Sequence, residues 1–196
     1  VARAGRRVRS RPRRAIATLF TVGHGTLAAE AFVALLETAK VTAIVDVRRF
    51  PASRRHPQFA REAMAGWLGE AGIGYRWKEA LGGRRRGVAD SPNAALHNSA
   101  FRAYADHMAS AEFRAAVDRL LAQARERPTA VMCAETLWWH CHRRLIADAA
   151  ELLHGMAVAH VMPPGKLAPP CPDGRGTRGR RPAGLRPRAG PPGLTA

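Results

Sequence analysis

A chain of 196 residues that is 46% hydrophobic has the length and apolar content of one ordinary globular domain. Its net charge of +17 sits mainly at the two ends: residues 1–14 carry seven arginines and no acid, residues 164–196 carry seven basic residues against Asp173 alone, and the stretch between holds 18 basic and 14 acidic side chains. No run of about 18 apolar residues is long enough to span a membrane, three cysteines do not make a disulfide framework, and the Arg-rich start lacks the apolar stretch and cleavage site of a secretory signal. The expectation is a cytoplasmic protein with no membrane partner.

Residues 1–14, of one charge sign and with almost nothing to bury, read as a disordered tail. Ala15–Val22 turns apolar and β-branched, a first strand running into the turn Gly23-His24-Gly25-Thr26. Thr26 suits the N-cap of a helix to Thr38, in which Phe32, Leu35 and Leu36 recur at helical spacing. Val41–Val45 is apolar without alternation, as in strands buried on both faces of a parallel sheet. It leads into Asp46-Val47-Arg48-Arg49-Phe50-Pro51, where the proline stops regular structure, and then into a loop with Ser53, Arg54 and Arg55.

Ala60–Ala71 reads as a helix with Met64, Trp67 and Leu68 on one face, and Ile73–Trp77 as a short strand. Leu81–Gly87 is a Gly- and Arg-rich loop, irregular to Asn98. Two helices follow: Phe101–Met108, then one capped by Ser110 with an apolar stripe of Phe113, Val117, Leu120, Leu121 and Ala124. Thr129–Met132 is a strand running into Cys133-Ala134-Glu135, and a loop with Trp138 and Trp139 reaches Cys141-His142-Arg143. The last helix buries Leu145, Ile146, Ala149 and Leu152 and ends at Gly155, before a strand over Ala157–Val161. Residues 164–196 are Pro, Gly and Arg with scarcely an apolar anchor and read as a second disordered tail. Alternating strands and helices over 15–163 predict one α/β domain, a mostly parallel sheet flanked by helices in a Rossmann-like three-layer arrangement.

In such sheets ligands bind beyond the carboxyl ends of the strands, and four strand ends here deliver polar residues. Gly23-His24-Gly25 enters a helix N-terminus, which attracts anions; the other reading is a tight turn. His24 suits a general acid or base, a substrate contact, or a satisfied turn histidine. Asp46 closes an apolar strand, where a carboxylate needs a partner. With Arg48 it forms either a structural pair or an anion grip.

Cys133, at the end of a buried strand, reads alone as an inert small hydrophobe. Glu135 is a carboxylate just past the same strand. Cys141 is the better candidate thiolate, because a helix N-terminus and the flanking His142 and Arg143 lower a thiol's pKa. Arg143 and Arg144 are out of place in a first helical turn, by about 0.3–1 kcal/mol each, unless an anion compensates or both reach solvent. Cys133, His140, Cys141 and His142 match no common zinc spacing, so no metal is assigned. The phosphatase pattern of Cys with Arg six positions on fails from both cysteines, which meet Trp139 and Ala147. Of Trp138 and Trp139, one packs under the loop and the other is available to line a pocket or stack on a base.

The runs Thr21–Thr26, Val45–Arg54, Gly72–Tyr75, Leu81–Gly83, Phe101–Ala105, Met132–Glu135 and Cys141–Arg143 with Ile146-Ala147 together resemble the bacterial and archaeal family called domain of unknown function 488, over about residues 18–167. The resemblance implies an α/β domain with enzyme-like polar motifs and carries no established reaction. It places the characteristic positions at His24, Asp46, Arg48, Ser53, Arg54, Cys133, Glu135, Cys141, His142 and Arg143. The family's usual Gly-His-Ser is here Gly23-His24-Gly25 with Thr26 after it, and the Pro- and Arg-rich end after Pro169 departs from the family.

Three functions fit. The first is an enzyme acting on a small phosphate- or carboxylate-bearing substrate, a nucleotide among them, with His24, Glu135, Cys141 and His142 as catalytic groups. Gly23, Asp46, Arg48, Ser53, Arg54, Cys133 and Arg143 would then hold the substrate; no cofactor is indicated. The second is a nucleic-acid-binding protein using the Arg-rich tails and loop tryptophans. The third is a non-catalytic ligand sensor on the same fold.

Overall fold

The apolar run in the middle of the second predicted strand decides the layering. Ala43–Asp46 (β2) is buried at every residue, and it lies between Gly74–Trp77 (β3) and Thr129–Cys133 (β4), parallel to both. The computed structural model describes residues 17–52, 54–163 and 166–168. Ser53, the tail read over 1–14 and the tail read over 164–196 apart from 166–168 lie outside the described residues.

Thr18–Gly23 (β1) pairs in parallel with β4 on one side and with Ala157–Met162 (β5) on the other. Lys166–Ala168 (β6) closes that edge antiparallel to β5, giving the order β3-β2-β4-β1-β5-β6. The sheet therefore runs past residue 163, where the sequence placed a domain boundary. An edge strand needs only backbone pairing to its neighbour, so the Pro- and Gly-rich composition concealed it.

Ala29–Thr38 (α1) and Arg61–Glu70 (α2) cover one face, while Ser99–Met108 (α3), Ala111–Glu126 (α4) and Arg143–His154 (α5) cover the other. Strand alternation divides the core accordingly. Ile44, Ala130 and Met132 join Phe32, Leu36, Met64 and Leu68, while Val45 and Val131 join Tyr104, Phe113, Leu121 and Ile146. This is the three-layer α/β fold the periodicities predict.

Two details differ from the sequence reading. Thr26 does not cap α1: the N-cap is Ala28, with no side-chain bond, because the chain spends Thr26 and Leu27 leaving the Gly25 turn. Leu152 is 56% exposed, on the outer side of α5, although its neighbours Ala149 and Ala150 are buried. Other punctuation reads as expected. Gly155 takes φ +60° as the C-cap of α5. Ser110 Oγ accepts the Phe113 N–H at 3.1 Å at the start of α4. Ser110→Ala is expected to lower stability by about 1 kcal/mol, seen as a lower urea midpoint with an unchanged slope.

β1 and β4 lie side by side, yet their chains leave the sheet toward opposite layers, β1 into α1 and β4 into α5. That divergence leaves a crevice at their carboxyl ends.

Candidate functional site

The crevice is a cavity of about 840 Å³. It is lined from the end of β1 by His24, Gly25 and Thr26, and from the segment after β2 by Arg48, Arg49, Phe50, Arg55 and His56. The segment after β4 adds Cys133–Thr136, the start of α5 adds Cys141 and His142, and the β3–α3 connection adds Gly83 and Arg84. A volume of this size suits a small-molecule ligand.

Asp46 lies beneath this cavity, fully buried. Its carboxylate accepts Arg48 Nε at 2.9 Å, Arg48 Nη2 at 2.6 Å, the Arg48 backbone N–H at 3.0 Å and the Tyr75 hydroxyl at 2.7 Å. Arg48 Nη1 donates to the Phe59 carbonyl at 2.8 Å and lies 3.4 Å from His24 Nε2, while Nη2 also reaches Met64 Sδ. Every guanidinium nitrogen thus has a protein acceptor, and Arg48 ties β2 to the Pro57–Phe59 turn. Burial and the Asp46 carboxylate push the Tyr75 phenol well above its usual range. His24 donates from Nδ1 to the Gly25 carbonyl and stacks on Phe59 at 4.0 Å. Burial, then the Arg48 charge, lowers its pKa to about 4, so at neutral pH it is an uncharged ring that supports Arg48.

Gly23 and Gly25 have a packing reason. A Cβ on Gly23 would collide with the Glu135 carbonyl, and one on Gly25, at φ +53°, with Thr136 Oγ1. Both glycines let the segment after β4 lie across the end of β1, held there by backbone bonds from His24 to Cys133 and from Gly25 to Ala134. From below, Arg143 donates to the carbonyls of Glu135 and Thr136. It is completely buried, its Nε has no partner, and among the described residues no carboxylate pairs with it. Arg144 is half-buried and lies 3.9 Å from Asp148.

On the cavity floor Cys133, Cys141 and His142 meet. His142 Nε2 lies 2.9 Å from the Val47 carbonyl. A carbonyl only accepts, so Nε2 carries the proton and Nδ1 turns its lone pair to Cys141 Sγ at 3.6 Å and Cys133 Sγ at 4.0 Å. The ring is fixed on both faces, by Tyr104 at 5.0 Å and by Gly83, where a Cβ would come within 2.7 Å of Nδ1. The Cys141 hydrogen bond pulls the Cys133 thiol well below its usual range. Donating that bond, together with burial, pushes Cys141 up. Of the two sulfurs, Cys133 is the more exposed.

The sequence assigned the candidate thiolate to Cys141 because a helix begins there. In the structure Cys141 is the buried sulfur, its thiol pushed up, and Cys133 is the more exposed one, its thiol pulled down. Of the sequence candidates, His24, Arg48, Cys133, Glu135, Cys141 and His142 line the cavity; Gly23, Asp46 and Arg143 are buried around it, Arg54 is exposed away from it, and Ser53 lies outside the described residues. Val47, Gly83, Tyr104, Arg55 and Arg84 were not singled out. The glycine-flanked run Arg84–Arg86 was the available signal for the last of these. That loop is anchored: Arg85 donates to the carbonyls of Gly82 and Glu79, and Asp106 receives Ser91 and Asn93. Trp138 stacks on His160 at 3.8 Å and is not available to a base, whereas Trp139 is 41% exposed.

Residues 28–150 match a family model described as Domain of unknown function DUF488, a span that takes in Asp46, Cys133 and Cys141–Arg143. Among curated proteins no match is found, and none among solved structures. No helix among the described residues is long and apolar enough to cross a membrane.

Proposed function

The chain belongs to the DUF488 family, a domain of unknown function, and from that premise we propose that it is an enzyme acting on a small phosphate- or carboxylate-bearing anion, with Cys133, Cys141 and His142 as the reacting centre. One observation carries the reading: the cavity wall above that centre holds Arg48, Arg49, Arg55 and Arg84 against Glu135 as the one carboxylate among the described lining residues. Arg48 is spent on Asp46, and Arg49 pairs with Glu79 at 2.5 Å. Arg55 and Arg84 at the rim are the groups that meet the anion, and Phe50 and Phe101 offer an apolar wall to its body. Glu135 is the acid placed to move a proton. His24, uncharged and bound to Arg48, is a positioning residue.

Calorimetric titration with phenyl phosphate and with phenol separates charge recognition from simple burial. Phenyl phosphate is expected to bind at least about tenfold more tightly than phenol, and Arg84→Gln to weaken it by about five- to tenfold in a salt-dependent manner. Equal binding of the two ligands overturns the anion site. Turnover is tested with p-nitrophenyl phosphate and p-nitrophenyl acetate, and is expected to be lost in Cys133→Ala. Anion binding with no turnover of either ester class removes the enzyme reading in favour of a sensor.

A further inference from the structure

We propose that Cys133, Cys141 and His142 bind a divalent transition-metal ion of the zinc class, with a fourth coordination position open to the cavity. The inference deepens, and rests on, the reading of this cavity as the site of an anion's chemistry.

The first argument is distance. Zinc bonds of about 2.3 Å to sulfur and about 2.0–2.1 Å to nitrogen, at tetrahedral angles, set S···N edges of about 3.6 Å and an S···S edge of about 3.8 Å. The observed S···N edges are 3.6 Å and 4.0 Å, and all three donor atoms lie within 4.8 Å of one another. The two S···N edges thus lie within about 0.4 Å of a zinc tetrahedron's, and closing the S···S edge takes a shift of about 1 Å at most.

The second argument is the surrounding shell. A ligating histidine must present a lone pair, and its other nitrogen is held by an acceptor that fixes the tautomer. The Val47 carbonyl does this for His142, leaving Nδ1 aimed at the sulfurs. Both sulfurs face that lone pair, at 3.6 Å and 4.0 Å, and two thiolates so close together in a buried place are tolerable only with a cation between them.

The third argument is the donor set. Two thiolates and one imidazole suit a borderline-soft ion such as zinc, and three protein ligands with an open position are the pattern of catalytic rather than structural zinc. All three residues line the cavity, so the open position faces the arginine-walled space. Binding is charge-balanced: M²⁺ and two thiols give a neutral bis-thiolate complex and two protons. An anionic oxygen at the fourth position then brings the complex to −1 beside the buried, carboxylate-free Arg143.

The test titrates the metal-stripped full chain with Co²⁺ and reads the sulfur-to-cobalt charge-transfer absorption. The expected result is saturation at one equivalent, displacement by Zn²⁺, and loss of the band in Cys141→Ser and in His142→Gln, with no change on substituting the third cysteine, which lies outside the described residues, in Cys171→Ser. Circular dichroism checks that the variants are folded, and the unsubstituted chain needs no such check. Absence of the band in the unsubstituted chain, or its persistence in folded His142→Gln, overturns the site. Loss of the band in Cys171→Ser overturns the open position. Phenyl phosphate titration of the chain with and without cobalt separates the two readings: anion binding without cobalt binding defeats the metal alone, and cobalt binding with no anion binding to the loaded chain defeats the substrate reading alone.

Discussion

Asp46→Ala is expected to remove about 3–5 kcal/mol of stability, because it strands a buried guanidinium without its counter-charge. Against a typical total of about 5–15 kcal/mol, that is a large share. The pair is dry: Asp46 is fully buried and Arg48 is 6% exposed. Substitution also leaves the Tyr75 hydroxyl without its acceptor. Urea denaturation reads the loss directly. The double variant Asp46→Ala/Arg48→Met is expected to recover much of it, since no buried charge then remains. A loss below about 1 kcal/mol in the single variant means that water reaches Arg48. If Asp46→Ala does not fold, Tyr75→Phe tests the same network through a smaller loss, on the order of 1 kcal/mol.

Acidification is expected to destabilise the fold between pH 6.5 and 4. His160 is 2% exposed, bonded to Thr21 Oγ1 at 2.7 Å and stacked under Trp138. Burial, then the charge of Arg143, lowers its pKa to about 4. The unfolded chain therefore takes up a proton near pH 6.5 that the folded chain refuses until about 4. Stability is complete above pH 6.5 and falls as pH drops through that window, by about 3 kcal/mol for this one group. His24, lowered likewise to about 4, acts in the same direction. Asp148 acts in the opposite one: burial raises it to about 6, so it binds its proton earlier in the folded state and gains stability as pH falls. Two histidines against one aspartate leave a net loss of about 3–4 kcal/mol. Urea midpoints at pH 7.5 and 4.5 measure it, and His160→Gln is expected to remove most of the dependence, because His24 and Asp148 then nearly cancel. A flat profile in the unsubstituted chain would show that neither imidazole is held neutral by burial.

The layered sheet was readable because its signals are local. The unbroken apolar run Val41–Val45 marks a strand covered on both faces, and the stripe Phe113, Val117, Leu120, Leu121 fits only a helix lying on one of them. β6 was not readable, since an edge hairpin leaves no periodicity in a Pro- and Gly-rich stretch. The cavity was partly readable: strand ends carrying His24, Arg48, Cys133 and Glu135 converge by topology. The Arg84 loop enters from the β3–α3 connection, which no periodicity could place.

The Cys/His floor was hidden by a geometric assumption. The residues match no common zinc spacing, and adjacent residues of one regular element point apart. Cys141 is extended (φ −115°, ψ 146°), whereas His142 already has helical angles (φ −57°, ψ −22°). The change of conformation between them turns both side chains to the same point.

The floor of the cavity comes from one short piece of chain, the end of β4 and the start of α5, while its wall comes from the segments after β2 and β3. On the proposed reading, reactivity and selectivity would then be encoded on separate segments of chain. Different sequences at 49–56 and 84–97 would then retarget such a scaffold while Gly83 keeps its place against His142, a modular logic open to both natural divergence and engineering.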